Sequence, residues 1–271
     1  MNIAFLFQNH LVEREVIRAL RRRRGVNVVT VNTPVYTTEK GAVRVCEAIA
    51  RMRCDMVFTI NDWGLDPSGY TRSWTAERGL VHVNWCTDDP FAPATTKNLR
   101  FEPASNRFDF VSDRAYMPAL REHGYTAHFL PLATDPTVFF PDRTPAGPQR
   151  GVGFVGNSYR KAEVAVPQRK LEALTGVYRD FIRETVARLL TDCSLDVRAV
   201  TAKQADTVPP PPGMSTALAE FAVSHKIGAL YRVETIRNVA ERYADFLVCG
   251  DAGWLEVLPE HQVSTDVWYY T

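Results

Sequence analysis

The chain carries almost no surplus charge. Lys and Arg total 32 against 31 Asp and Glu, a net +1, so no basic field recruits nucleic acid or an anionic membrane surface. No apolar run approaches the roughly 18–20 residues that span a bilayer. The apolar start Ile3–Phe7 is too short for a signal-peptide core and runs straight into Gln8, Asn9 and His10. Cysteine is scarce. Cys46, Cys54, Cys86, Cys193 and Cys249 are odd in number, scattered and without a CxxC pair, which speaks against a disulfide framework and a zinc site. GxGxxG, GxxxxGK[ST] and GxSxG are all missing, and no His, Cys or Glu cluster has metal-ligand spacing. These absences predict a soluble, cytoplasmic protein with no membrane span, no nucleic-acid partner, no metal and no cofactor.

What is present is an ordinary globular composition, 45% hydrophobic and 23% charged over 271 residues, long enough for two domains. Short apolar runs alternate with helical stripes through the first 130 residues. Ile3–Phe7, Val26–Val31, Met56–Ile60, Leu80–Trp85, Phe108–Ser112 and Ala127–Leu130 read as strands. Leu11–Arg24, Thr38–Met52, Tyr70–Arg78 and Ala115–His123 read as helices, three of them closed by Gly25, Gly79 and Gly124. Such alternation predicts an α/β fold with a parallel, doubly wound sheet. Five prolines between Pro131 and Pro148 mark a linker. The expected division is 1–135, a Rossmann-like domain; 136–150, a Pro-rich linker; and 151–271, a second, incomplete Rossmann-like domain with a helical insertion at about 165–243. Within it Leu171–Leu190 and two stretches of Ser215–Tyr243 read as helical, and Phe246–Cys249 and Val263–Tyr269 as strands. The chain stops on the aromatic run Val267–Thr271, which reads as an interrupted domain.

Ligands of open α/β sheets bind beyond the carboxyl ends of the strands. There this sequence concentrates polar and aromatic side chains: Asn9 and His10 after the first strand, Asn61, Asp62 and Trp63 after the third, Trp85, Asp88 and Asp89 after the fourth. Carboxylates and amides hold sugar hydroxyls, and indole faces take the apolar side of a pyranose. Each residue also has a plainer role. Asn61, Asp62, Asp88 and Asp89 are good turn and cap formers, and His10 can simply flank a helix. His82 inside a strand and the run Arg21–Arg24 at a helix end read as structural. In the second half, Gly156, Asn157 and Ser158 form a small-residue turn that lets backbone N–H groups approach a phosphate. Arg160 and Lys161 follow it, and Gly250-Asp251 opens a similar turn.

Four runs together resemble the CgeB-like (spore-maturation-protein-like) glycosyltransferases. They are Phe58–Asn61, Trp85–Phe91, Phe129–Pro136 and Gly153–Ser158, with Gly250–Trp254 similar to a later turn. The resemblance covers roughly residues 1–160. It implies a GT-B fold of two Rossmann-like domains, the first holding an acceptor and the second a nucleoside diphosphate sugar. The helical stretch between Ser158 and Asp245 is longer than the family's strand–helix–strand unit, and the donor-gripping segment falls beyond Thr271.

On this reading His10, Asp88 or Asp89 activates the acceptor hydroxyl if the reaction inverts configuration. Asn9, Asn61, Asp62, Trp63 and Trp85 shape the acceptor pocket. Gly156, Asn157, Ser158, Arg160, Gly250 and Asp251 face the nucleotide. The partners are a nucleotide sugar and a glycan, protein or small-molecule acceptor. The alternative is a non-catalytic nucleotide- or glycan-binding module using the helical insertion as a partner or homodimer surface. An NAD-type enzyme is disfavoured by the missing three-glycine turn.

Overall fold

The computed structural model describes residues 1–10, 12–34, 38–91, 104–137, 151–158, 176–192, 197–206 and 216–265. The chain divides into two units, Met1–Pro141 and Asp142–Thr271.

In the first unit the β-branched and aromatic runs become strands β1 (Asn2–Phe7), β2 (Asn27–Asn32), β3 (Met56–Ile60), β4 (Val81–Cys86), β5 (Arg107–Val111) and β6 (Ala127–Phe129). Helices α1 (Glu13–Arg21), α2 (Glu39–Arg51), α3 (Tyr70–Glu77) and α4 (Met117–Glu122) lie between them. All pairings are parallel, in the order β2-β1-β3-β4-β5-β6. The expected α/β class and parallel sheet are therefore present.

Alternation along β1 sorts two cores. Ile3 and Phe5 join Ile17, Val28, Ile60 and Trp85 on the α1 face. Ala4 and Leu6 join Val31, Val45, Ile49 and Val57 on the other face, with Trp74 packed against them. Each of the Val, Ile, Leu and Phe side chains stabilises the fold by about 1.5–3 kcal/mol when fully buried. A third core sets Cys86 and Val111 against Leu120 of α4 and Tyr125.

The strand order determines where a ligand belongs. The chain leaves β1 for β2 on one side, then returns past β1 to β3 on the other. Crossovers on opposite faces leave a crevice at the carboxyl ends of β1 and β3.

In the second unit three parallel strands, β7 (Gly153–Val155), β8 (Leu247–Cys249) and β9 (Val263–Ser264), pair in the order β7-β8-β9. Helices α5 (Gly176–Thr191), α6 (Val197–Ala205) and α7 (Thr216–Arg242) fall between β7 and β8 in sequence. The two helical stretches expected over Ser215–Tyr243 are one helix. Its Gly228 has open space where a side chain would be, and one interior glycine costs only about 1 kcal/mol. The expected strand Val263–Tyr269 is described only at β9. Ile236, Phe246, Val248, Trp254 and Leu258 form the core of the strands and α7.

Candidate functional site

The loop after β1 is built around a carboxylate that the sequence did not single out. Glu13 is fully buried. Its carboxylate accepts the N–H of His10 at 2.8 Å and that of Gln8 at 3.1 and 3.2 Å. Burial raises the Glu13 carboxyl above its ordinary range, against the opposing pull of these backbone bonds. The clasp holds Asn9 and Val12 in left-handed conformations, φ 62° and 64°. For β-branched Val12 that strain costs on the order of 1–3 kcal/mol. A first-turn acid three residues past His10 is its only sequence signal.

His10 stands on this loop with its ring 4.1 Å from that of Trp63, tilted by 42°. Gln8 donates its amide to the carbonyl of Pro34, so its Oε1 faces His10 Nε2 at 3.2 Å as an acceptor. In a neutral imidazole this pairing corresponds to the Nε2–H tautomer. Exposed Asn9 accepts from Arg14 Nε at 3.1 Å.

The loop after β3 links two clusters. Asn61 and Asp62 are consecutive left-handed residues, φ 50° and 55°, a costly backbone that their side chains over-determine. Asn61 Oδ1 accepts from Thr87 N and Asp88 N at 2.8 and 3.2 Å, and its Nδ2 donates to Thr87 Oγ1 and Asp88 Oδ2 at 2.8 and 2.7 Å. Asn61 is thus a buried brace that holds the exposed Asp88 carboxylate in place. Asp89 caps Phe91 N at 2.9 Å. At Gly64 (φ +87°) a Cβ would press on Thr33 Oγ1 and Leu6 Cβ, so the loop closes only around glycine.

Asp62 points away from the crevice. Arg107 lies 3.0 Å from both of its oxygens, donating a hydrogen bond from Nη2 to Oδ2. The same guanidinium grips Asp109 at 2.6 and 2.8 Å. All three are buried. Burial pushes the Asp62 carboxyl up, but the charges of Arg107 and Arg72 outweigh it and hold it below the usual range. The trio continues into the sheet, where Asn84 donates to Asp109 Oδ1 at 2.9 Å and accepts Asp62 N at 2.9 Å. Thr59 donates to Asn84 Oδ1, so it accepts from His82 Nε2–H at 2.9 Å. Burial, then the Arg107 charge, lower the His82 imidazole to about 3, and it is neutral. Arg107 and Asp109 were missed by sequence reasoning. Their signal was an alternation of opposite charges, Arg107-Phe108-Asp109, on one face of a strand.

Trp85 is likewise a core residue, buried on the α1 face with Nε1 donating to Leu130 O at 3.2 Å. Trp63, half-buried, is the indole that meets His10. The segment following β6 runs back to α1, where Asp135 receives Arg22 at 3.2 Å and Arg18 at 3.8 Å.

In the second unit, the turns after β7 and β8 close on each other. Asp251 accepts Ser158 N at 2.8 Å, Ser158 Oγ at 2.6 Å and Gly253 N at 2.8 Å. Trp254 Nε1 donates to Gly156 O at 2.8 Å, and Arg232 donates to Asn157 O at 3.0 Å. A Cβ on Gly250 would collide with the Gly156 carbonyl. Gly156 N is paired with Cys249 O. Among the described residues, this leaves the N–H of exposed Asn157 without an intramolecular acceptor. Arg160 and Lys161 lie outside the described residues.

Among the described residues no group of three or more His, Cys, Asp or Glu could hold a metal ion, and no helix is long and apolar enough to cross a membrane. Set beside known proteins, the chain matches no protein-family profile, no curated protein and no solved structure.

Proposed function

We propose that the first unit carries the acceptor side of a glycosyltransferase that moves a sugar from a nucleoside diphosphate sugar to a hydroxyl. The observation that supports this reading is His10 braced between Trp63 and Gln8 at the β1/β3 crevice. An imidazole held at the crevice is suited to take a proton from an acceptor hydroxyl. As the acceptor oxygen bonds to the anomeric carbon, the bond to the diphosphate breaks and the leaving group departs with the electron pair. Trp63 offers an aromatic face for the acceptor ring, and Asp88, held by Asn61, offers a carboxylate for its hydroxyls. The resemblance to CgeB-like enzymes rests on motifs that include Asn61 and Asp88, and the GT-B pairing of two Rossmann-like domains belongs to the same proposal.

The test is a panel of nucleoside diphosphate sugars and acceptors, read as released nucleoside diphosphate. His10→Ala is expected to lower turnover by about 10²–10⁴-fold, with thermal stability as the folding control. Unchanged turnover in His10→Ala would remove the base.

A second reading is a binding module without turnover. It is favoured by Asp251, which occupies the N–H and O–H donors that a diphosphate would use at Ser158. Nucleoside diphosphate binding without transfer to any acceptor would decide for it.

A further inference from the structure

Next to the crevice, at the carboxyl end of β2, a cleft of about 410 Å³ opens against α2. That volume lies within the ~300–1,000 Å³ of small-molecule sites and exceeds what a lone phosphate fills. Buried Val31 and Val45, with half-buried Ala48, form its apolar base. Exposed Asn32, Lys40 and Arg44 stand at its mouth.

The two cations are the informative pair. They sit at i and i+4 on α2, where like charges repel by about 0.2–0.5 kcal/mol. Neither has an ion pair or side-chain hydrogen bond among the described residues, although Glu39 and Glu47 share the helix. Arg18 pairs with Glu15 and Arg237 with Glu234 at the same i,i+3 spacing that separates Arg44 from Glu47. The strand-end turns that would ordinarily cradle an anion are meanwhile filled from within, one by Glu13 and one by Asp251.

We propose that this cleft binds the phosphate monoester of a small organic molecule. The phosphate sits between Lys40 and Arg44, and the organic part lies over Val31, Val45, Ala48 and Pro34. Pro34 also takes the Gln8 amide, so the cleft and the His10 loop share a wall. The site does not depend on His10 acting as a base.

The experiment is calorimetric titration of the full chain with a hexose monophosphate, inorganic phosphate, the neutral hexose and the corresponding uronate. The expected order is hexose monophosphate tighter than inorganic phosphate, with no saturation by the neutral sugar. Lys40→Ala and Arg44→Ala are each expected to weaken the phosphate ester by about 3–10-fold, and the pair by about 30-fold. Melting temperature should stay unchanged, because both side chains are exposed. The proposal is overturned by full affinity in the double variant, or by neutral sugar or uronate binding as tightly as the phosphate ester. Absence of saturation by any phosphate up to about 10 mM also overturns it. His10→Ala should keep the affinity, so failure of the transfer reading is distinguishable from failure of this one.

Discussion

Each unit seals the turn after its first described strand with a buried carboxylate, but the carboxylates reach very different distances. Glu13 comes from the helix that directly follows, three residues from His10 and five from Gln8. Asp251 comes from the turn after another strand, 93 residues from Ser158. The local contact shapes one loop at little entropic cost. The distant one ties two strand ends whose intervening chain must first be closed. The carboxylate of the first unit therefore shapes one loop, whereas the second unit depends on the tie for its architecture.

Breaking the distant tie should have the largest effect. Asp251→Ala leaves three donors without their acceptor, two of them in fully buried Ser158. A loss of about 3–4 kcal/mol is expected, read as faster amide exchange in β7 and β8 while β1–β4 keep their protection. A loss below about 1 kcal/mol would show that the tie is not structural.

A pH titration sharpens the contrast next. The folded His82 binds its proton only near pH 3, whereas the unfolded chain takes it up at about 6.5. Protons thus favour the unfolded state across that window, and stability falls as pH drops from 6.5 towards 3. Two pH units correspond to about 2–3 kcal/mol for this group. Urea unfolding at pH 6.5 and 4.5 should show that slope in the wild type and a flatter one in His82→Gln. Equal slopes would remove the buried histidine from the acid response.

Breaking the local clasp is the smallest effect. Glu13→Ala is expected to lose about 2 kcal/mol, and Glu13→Asp, shorter by one methylene, about 1 kcal/mol. Chemical shifts should move at Gln8–Val12 and at the His10 ring while the strands stay put. Shifts spread across the sheet would contradict a local role.

Much of this was readable from the chain because the information was local. A short apolar run between polar residues is enough to place a strand such as Met56–Ile60, and the strands in turn place Asn61 and His10 on one edge. Asp62 was not readable as an inward residue, since its partner Arg107 lies 45 residues away on another strand. Trp85 is not legible as a core indole, because the pleat of β4 cannot be phased from His82-Val83-Asn84 alone. Buried polar positions such as His82 and Asn84 carry the opposite pattern to an apolar strand face. Asp251 belongs to the same class, its meaning supplied by Ser158 from the far side of α5, α6 and α7.

The Asp62–Arg107–Asp109 trio also bears on how this protein can change over time. Neutralising one member strands a charge in the interior, at a cost of roughly 3–5 kcal/mol, whereas replacing a whole buried ionic set by matched apolar residues is often neutral or better. No single substitution leads comfortably from one solution to the other. The three positions form a ratchet: exposed positions such as Glu47 or Arg51 are free to change one at a time, while the sheet holds its ions together or exchanges them together.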